Sequence, residues 1–132
     1  MAAASEVRTL FQRELVVERY FQTFNESNFE ATAKLFAKEG ELAAPFEEPI
    51  RGREHIEAYL EREAQGMKAF PKEMCVEPLE RDRRQVVVKG EVQASVFNVN
   101  AAWIFTLNSQ DEIEFVRVKL LASLQDLVSL RK

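Results

Sequence analysis

Few side chains in this sequence have the type and setting that chemistry requires, and the two that stand out are hydrogen-bond donors with no reaction beside them. The single tryptophan, Trp103, sits in Asn100-Ala101-Ala102-Trp103-Ile104-Phe105-Thr106-Leu107-Asn108, and Tyr20 lies in the similarly apolar run Tyr20-Phe21-Gln22-Thr23-Phe24. Each brings one polar tip into apolar surroundings. On the bland reading both are core aromatics whose tips find backbone partners. On the sharper one they converge on a single acceptor, such as a carbonyl oxygen on an apolar ligand.

Acid–base catalysis needs a base inside a pocket, and the candidates are few. Asp82 and Asp111 fall between strand-like segments, Asp126 falls in the tail, and His55 precedes an inward Ile56, which points it to solvent. Glu41, Glu112 and Glu114 stay open as carboxylate candidates. One histidine and one cysteine give no metal-ligand spacing. Cys75 has no partner for an internal disulfide, which suits a reducing compartment, and its neighbours Met74 and Val76 suggest a half-buried strand thiol.

A net charge of -4 removes the positive field that would gather phosphates, so nucleic acid is not an expected partner. Arg51, Arg53 and the run Arg81-Asp82-Arg83-Arg84 read as solvated surface. No apolar run suits a signal peptide or a membrane span, and a cytoplasmic protein is expected. The ten phenylalanines among 132 residues can supply the core of one domain spanning residues 1–132.

These donors need elements to hold them. Leu10, Phe11, Leu15, Val16, Tyr20, Phe21 and Phe24 fall near helical spacing, which predicts a helix over residues 5–24. Ser27-Asn28-Phe29-Glu30 reads as a capping box opening a second helix through Ala37, with Gly40 ending it and Glu41 to Ala44 a short strand. The loop Pro45-Phe46-Glu47-Glu48-Pro49-Ile50 follows. A third helix is expected from Arg53 through Ala64, closed by Gly66, with Ile56, Tyr59 and Leu60 inward.

From Lys72 the period changes to two. Val86, Val88, Gly90, Val92, Ala94 and Val96 share one face of a strand, while Lys89, Glu91 and Gln93 share the other. The Trp103 strand and Ile113 to Leu121 complete a meander around a turn at Asn108-Ser109-Gln110-Asp111. Ser123 to Leu130 reads as an amphipathic turn. Helices first and strands last predict an α+β fold, a curved, mostly antiparallel sheet covered by about three helices and forming a cone-shaped pocket.

This arrangement resembles the nuclear transport factor 2-like superfamily, which also includes ketosteroid isomerases and polyketide cyclases. Within it, five ordered segments resemble the C-terminal domain of orange carotenoid protein: Tyr20 to Asn25, Pro45 to Gly52, Val88 to Gln93, Asn100 to Asn108 and Leu120 to Leu127. The resemblance runs from about Val16 to Arg131. It implies that Tyr20 and Trp103 donate to the keto oxygen of a ketocarotenoid such as canthaxanthin or echinenone. It also implies a standalone homologue that binds pigment as a homodimer, exchanges it with helical carotenoid proteins and protects against light by quenching singlet oxygen. Where full-length relatives have Thr-Pro-Trp-Phe-Gly, this chain has Ala94-Ser95-Val96-Phe97-Asn98, without the tryptophan near the pocket mouth.

Phe24, Met67, Val92, Val96, Val118 and Leu120 are the expected lining, because they lie on faces that share a side with the two donors. A domain of this length has a radius of gyration of about 14 Å, so one cone covers only one end of a carotenoid. Two cones mouth to mouth would hide both rings, with transient membrane contact as one route of pigment uptake. Burying on the order of 200 Å² of ligand per subunit would contribute roughly 5 kcal/mol before ordering costs.

Overall fold

Alternating apolar residues in the second half of the chain build four long antiparallel strands, and the helices of the first half lie across one face of them. The computed structural model describes residues 13–95 and 97–121. In chain order the elements are α1 (Leu15–Asn25), α2 (Phe29–Lys34), β1 (Phe36–Ala43), β2 (Ile50–Arg51), α3 (Arg53–Glu63), β3 (Lys68–Pro78), β4 (Arg84–Ala94), β5 (Phe97–Leu107) and β6 (Ile113–Leu121). The six strands form one sheet in the order β2-β1-β6-β5-β4-β3. Only β1 against β6 is parallel. The α+β class expected from the sequence is the class observed.

Helix α1 buries Val17, Tyr20, Phe21 and Phe24, which recur at i, i+3, i+4 and i+7 and so form one stripe. It begins at Leu15; the expected turns over residues 5–12 lie outside the described residues. Glu14 has non-helical backbone angles, φ -104° and ψ 88°. Its carboxylate is engaged by Arg84 of β4, with Nε at 2.9 Å and Nη2 at 2.7 Å from one oxygen. At the other end, the Asn25 side chain donates to the Ala69 carbonyl at 2.9 Å and accepts from the Ala69 N–H at 2.7 Å. The helix carrying Tyr20 is thus tied to the sheet at both ends.

Several local expectations are corrected. Ser27 does not cap α2: its φ is +56°, and Asn28 is the cap, accepting from the Ala31 N–H at 3.3 Å. The helix stops at Lys34, and the chain from Phe36 is strand. Gly40 therefore ends no helix. A Cβ there would meet the Ile113 carbonyl at 2.7 Å, so glycine is required for the close approach of β6, beside the irregularity in the β1–β6 register. The third helix is as expected, with Ile56 and Leu60 buried and Gly66 at φ +80° after it.

Strand β3 begins at Lys68, earlier than expected, and bulges between Pro71 and Glu73. At Gly90 opposite, a Cβ would stand 2.2 Å from the Phe70 carbonyl, so glycine is required for the close approach of β3 beside its bulge. Cys75 is exposed, not half-buried. Met74 and Val76 take the inner side of β3, and the two-residue period turns the thiol outward. The basic run is not uniformly solvated either. Arg84 pairs with both Glu14 and Asp111, and Arg83 donates to Glu114 at 3.1 Å.

The turn after β5 behaves as read. Asn108 accepts from the Gln110 and Glu112 N–H groups, and Asp111 sits at φ +61°. The expected amphipathic turn at Ser123 to Leu130 lies outside the described residues.

Candidate ligand cavity

Registers across the sheet place Trp103 beside Val88 on one side and Val118 on the other, all three on the helix-facing side. Over that row lies α1. Phe21 meets the Trp103 indole edge to face, with centroids 4.9 Å apart and planes at 88°. Tyr20 meets Phe105 in the same way at 5.1 Å and 85°, and lies nearly parallel to Phe24 at 6.2 Å. Such contacts fix ring orientation as well as adding stability, so both donor-bearing rings are held from the side. Tyr20 is 2% exposed and Trp103 3%.

Between these rings and the end of the sheet lies a cavity of about 280 Å³. Its inner wall is Tyr20, Phe24 and Trp103, and its sides are Leu42, Tyr59, Leu60, Ala64, Met67, Val92 and Val118. Ala44, Pro45, Glu63, Ala94, Val99 and Leu120 surround the rest, where Leu120 and Glu63 are exposed. Small-molecule pockets span about 300–1,000 Å³. This one suits a single ring-sized end group, and anything longer must leave by the mouth.

The lining is almost wholly apolar. Among the described residues neither the Tyr20 hydroxyl nor the Trp103 indole N–H meets a protein acceptor. Among the described residues no side-chain polar atom sealed from solvent lacks a partner, so both tips open onto the cavity that these residues line. Burial pushes the Tyr20 hydroxyl far above its ordinary range, with Tyr59 adding in the same direction. Tyr20 therefore remains a neutral O–H donor at any physiological pH. Tyr59 is pushed up to about 12, first by burial and then by its 3.0 Å hydrogen bond to Glu47 of the mouth loop.

Of the residues singled out from sequence, Tyr20, Trp103, Phe24, Met67, Val92, Val118 and Leu120 are brought to this one cavity. Val96 lies outside the described residues. Of the acidic candidates, Asp126 lies outside the described residues, and Asp82, Asp111, Glu41, Glu112 and Glu114 are not among the residues lining the cavity. Glu41 pairs with Arg51 at 3.8 Å, Glu114 with Arg83, and Glu112 accepts from Asn108 and lies 3.9 Å from Arg53. His55 is exposed and its Nδ1 lies 3.0 Å from the Arg51 carbonyl. Sequence reasoning placed Tyr59 and Leu60 inward without assigning them to a site, and it missed Leu42 and Val99. Inward alternation on β1 and β5 was the signal available for those two.

Among the described residues no cluster of three or more His, Cys, Asp or Glu is placed to hold a metal. No described helix is long and apolar enough to cross a membrane.

Comparison with known proteins agrees with this architecture. Residues 17–117 match the SnoaL-like domain family. The orange carotenoid-binding protein of Limnospira maxima is 36% identical over 118 residues, covering 86% of this chain. The chain spans 37% of that relative's length. The orange carotenoid protein of Anabaena (Nostoc) sp., solved with canthaxanthin bound, superposes with a TM-score of 0.81 at 34% identity, covering 89% of this chain and 38% of that one. The Fremyella diplosiphon OCP1 superposes with a TM-score of 0.82 at 31% identity, with the same coverage. The chain therefore belongs to the SnoaL-like domain family, has the nuclear transport factor 2-like fold, and is a homologue of the C-terminal domain of orange carotenoid proteins.

Proposed function

We propose that this protein is a non-enzymatic carrier of a ketocarotenoid, canthaxanthin or echinenone in type, whose keto-bearing end ring occupies the cavity between α1 and the sheet. The observation that carries this reading is the pair of neutral donors, Tyr20 and Trp103, which have no acceptor among the described residues and stand at the inner wall of an otherwise apolar cavity. A ketone is the complementary group. It accepts two hydrogen bonds, carries no charge, and needs no desolvated counter-ion. Phe24, Met67, Val92, Val118 and Leu120 would cover the ring, with burial setting affinity and the two donors setting orientation and colour.

Cavity volume supports pairing. An enclosure of about 280 Å³ covers one end of such a pigment, and a second copy would cover the other. The relatives' names support carotenoid binding; the wider role proposed from the family resemblance is photoprotective quenching and exchange of pigment with a helical carotenoid protein. Phe46, 95% exposed beside the mouth, is suited to brief membrane contact during uptake.

The isomerase or cyclase alternative needs a base in the cavity. Among the described lining residues the one carboxylate is Glu63, which sits at the mouth with a side chain 49% exposed and bonded to Arg62. That placement favours the carrier.

Expression in bacteria making canthaxanthin, and in parallel in bacteria making only β-carotene, tests the proposal. Co-purification of canthaxanthin in preference to the ketone-free pigment is expected. A colourless protein from both hosts overturns it.

A further inference from the structure

Methionine is an apolar side chain that a mild oxidant turns into a polar one, and the cavity has one in its wall. Among the described lining residues Met67 is the one side chain that bears sulfur. It stands where cavity and water meet. Its backbone N–H donates to the Ala64 carbonyl at 3.1 Å, in the turn between α3 and β3. Gln65 and Gly66 just before it are exposed, and a Cβ at Gly66 would meet nothing within 4 Å. Met67 itself is half-buried and packs against the core. An oxidant in water therefore reaches the same side chain that covers a bound ring.

We propose that Met67 is an oxidation site through which hydrogen peroxide empties the cavity of pigment. The inference rests on the carrier reading above and adds a condition under which the carrier lets go. The sulfur lone pair attacks one peroxide oxygen, the O–O bond breaks, an S–O bond forms and water leaves; sulfur loses two electrons and peroxide gains them. The sulfoxide oxygen is a hydrogen-bond acceptor in an apolar wall. Among the described lining residues the side-chain N–H and O–H donors are Tyr20, Trp103 and Tyr59, and Tyr59 already donates to Glu47. A sulfoxide turned inward therefore competes with the ketone for Tyr20 and Trp103 or stays unpaired, and either outcome weakens binding. Turned outward, it leaves a gap in the wall where water enters. Met74 supplies the contrast. It is half-buried on the inner side of β3, in register with Val88 in the row that leads to Trp103, and it is not among the described residues lining the cavity.

The canthaxanthin-loaded chain is treated with graded hydrogen peroxide, quenched with catalase and passed over a sizing column. Protein-bound and released pigment are extracted and quantified, and oxidation at each methionine is read by peptide mass spectrometry. Every chain carries Cys75→Ser, which removes the exposed thiol. Pigment loss is expected to track the fraction of Met67 oxidised, with release about tenfold faster at full oxidation. Met67→Leu should show no acceleration by peroxide against its own untreated state, and Met74→Leu should respond as the parent chain does. Methionine sulfoxide reductase with dithiothreitol should restore binding. The inference is overturned if peroxide leaves Met67 unmodified, if fully oxidised Met67 holds pigment at the untreated rate, if loss tracks Met74 instead, or if peroxide strips Met67→Leu as fast as its parent. An untreated chain that carries no canthaxanthin overturns the carrier reading, and this inference with it.

Discussion

At the closed end of the sheet Glu14, Arg84 and Asp111 satisfy one another, with the Glu14 and Arg84 side chains only 7% and 26% exposed. At the open end Tyr20 and Trp103 are buried as rings while their donors face an apolar space. The same helix, α1, reaches both regions. A buried carboxylate left without a cation costs several kcal/mol, so the closed end must be internally complete for the domain to fold. A hydroxyl or indole N–H opening on a cavity costs far less, and it remains available to something that enters. The first arrangement serves stability, and under the proposed function the second serves recognition.

The largest expected effect comes from breaking the closed end. Arg84→Met strands Glu14 and should lower unfolding free energy by about 3 kcal/mol in urea titrations. The double variant Glu14→Leu/Arg84→Met should recover much of that loss. An unchanged midpoint for the single variant would remove the distinction between the two ends.

Next comes occupation of the open end. Val118→Phe should fill the cavity with a stability change within about 1.5 kcal/mol, while co-purifying pigment disappears. Retained pigment would place the ligand elsewhere.

A smaller effect concerns pH. The folded value for Tyr59 lies above its ordinary 10.0, at about 12, and that of Tyr20 is raised too. A raised folded value means a contribution fully present below about pH 10 that fades as pH rises through the folded value. Stability should therefore decline above pH 10, and Tyr59→Phe should make the early part of that decline shallower; identical profiles would show that Tyr59 titrates as a free phenol. The smallest expected change is Cys75→Ser, within about 0.5 kcal/mol, because the thiol is exposed.

How much of this was legible in the sequence depends on which force decides each element. Strand periodicity from Val86 to Leu121 shows directly, because burial on one face imposes a period of two. The α1 stripe and α3 show for the same reason. The Ser27 reading failed because a capping box is a local pattern, and the adjacent Asn28 took the cap once Ser27 adopted a left-handed backbone. Gly40 was misplaced because its requirement comes from β6, a distant strand invisible in the local window. The Glu14 to Arg84 pair spans seventy positions and has no local signature. The seven cavity residues picked from sequence were accessible because facing direction follows from period, whereas Leu42 and Val99 needed the sheet order to be known.

The central claim is that Tyr20 and Trp103 donate to one ketone oxygen. Its most direct test is the visible absorption spectrum of the canthaxanthin-loaded protein, compared with loaded Tyr20→Phe and Trp103→Phe. Hydrogen bonds at the keto end draw electron density along the conjugated chain, so the native complex should absorb to the red of the free pigment, and each variant should move back toward the blue. Loaded variants with the native spectrum would contradict the account.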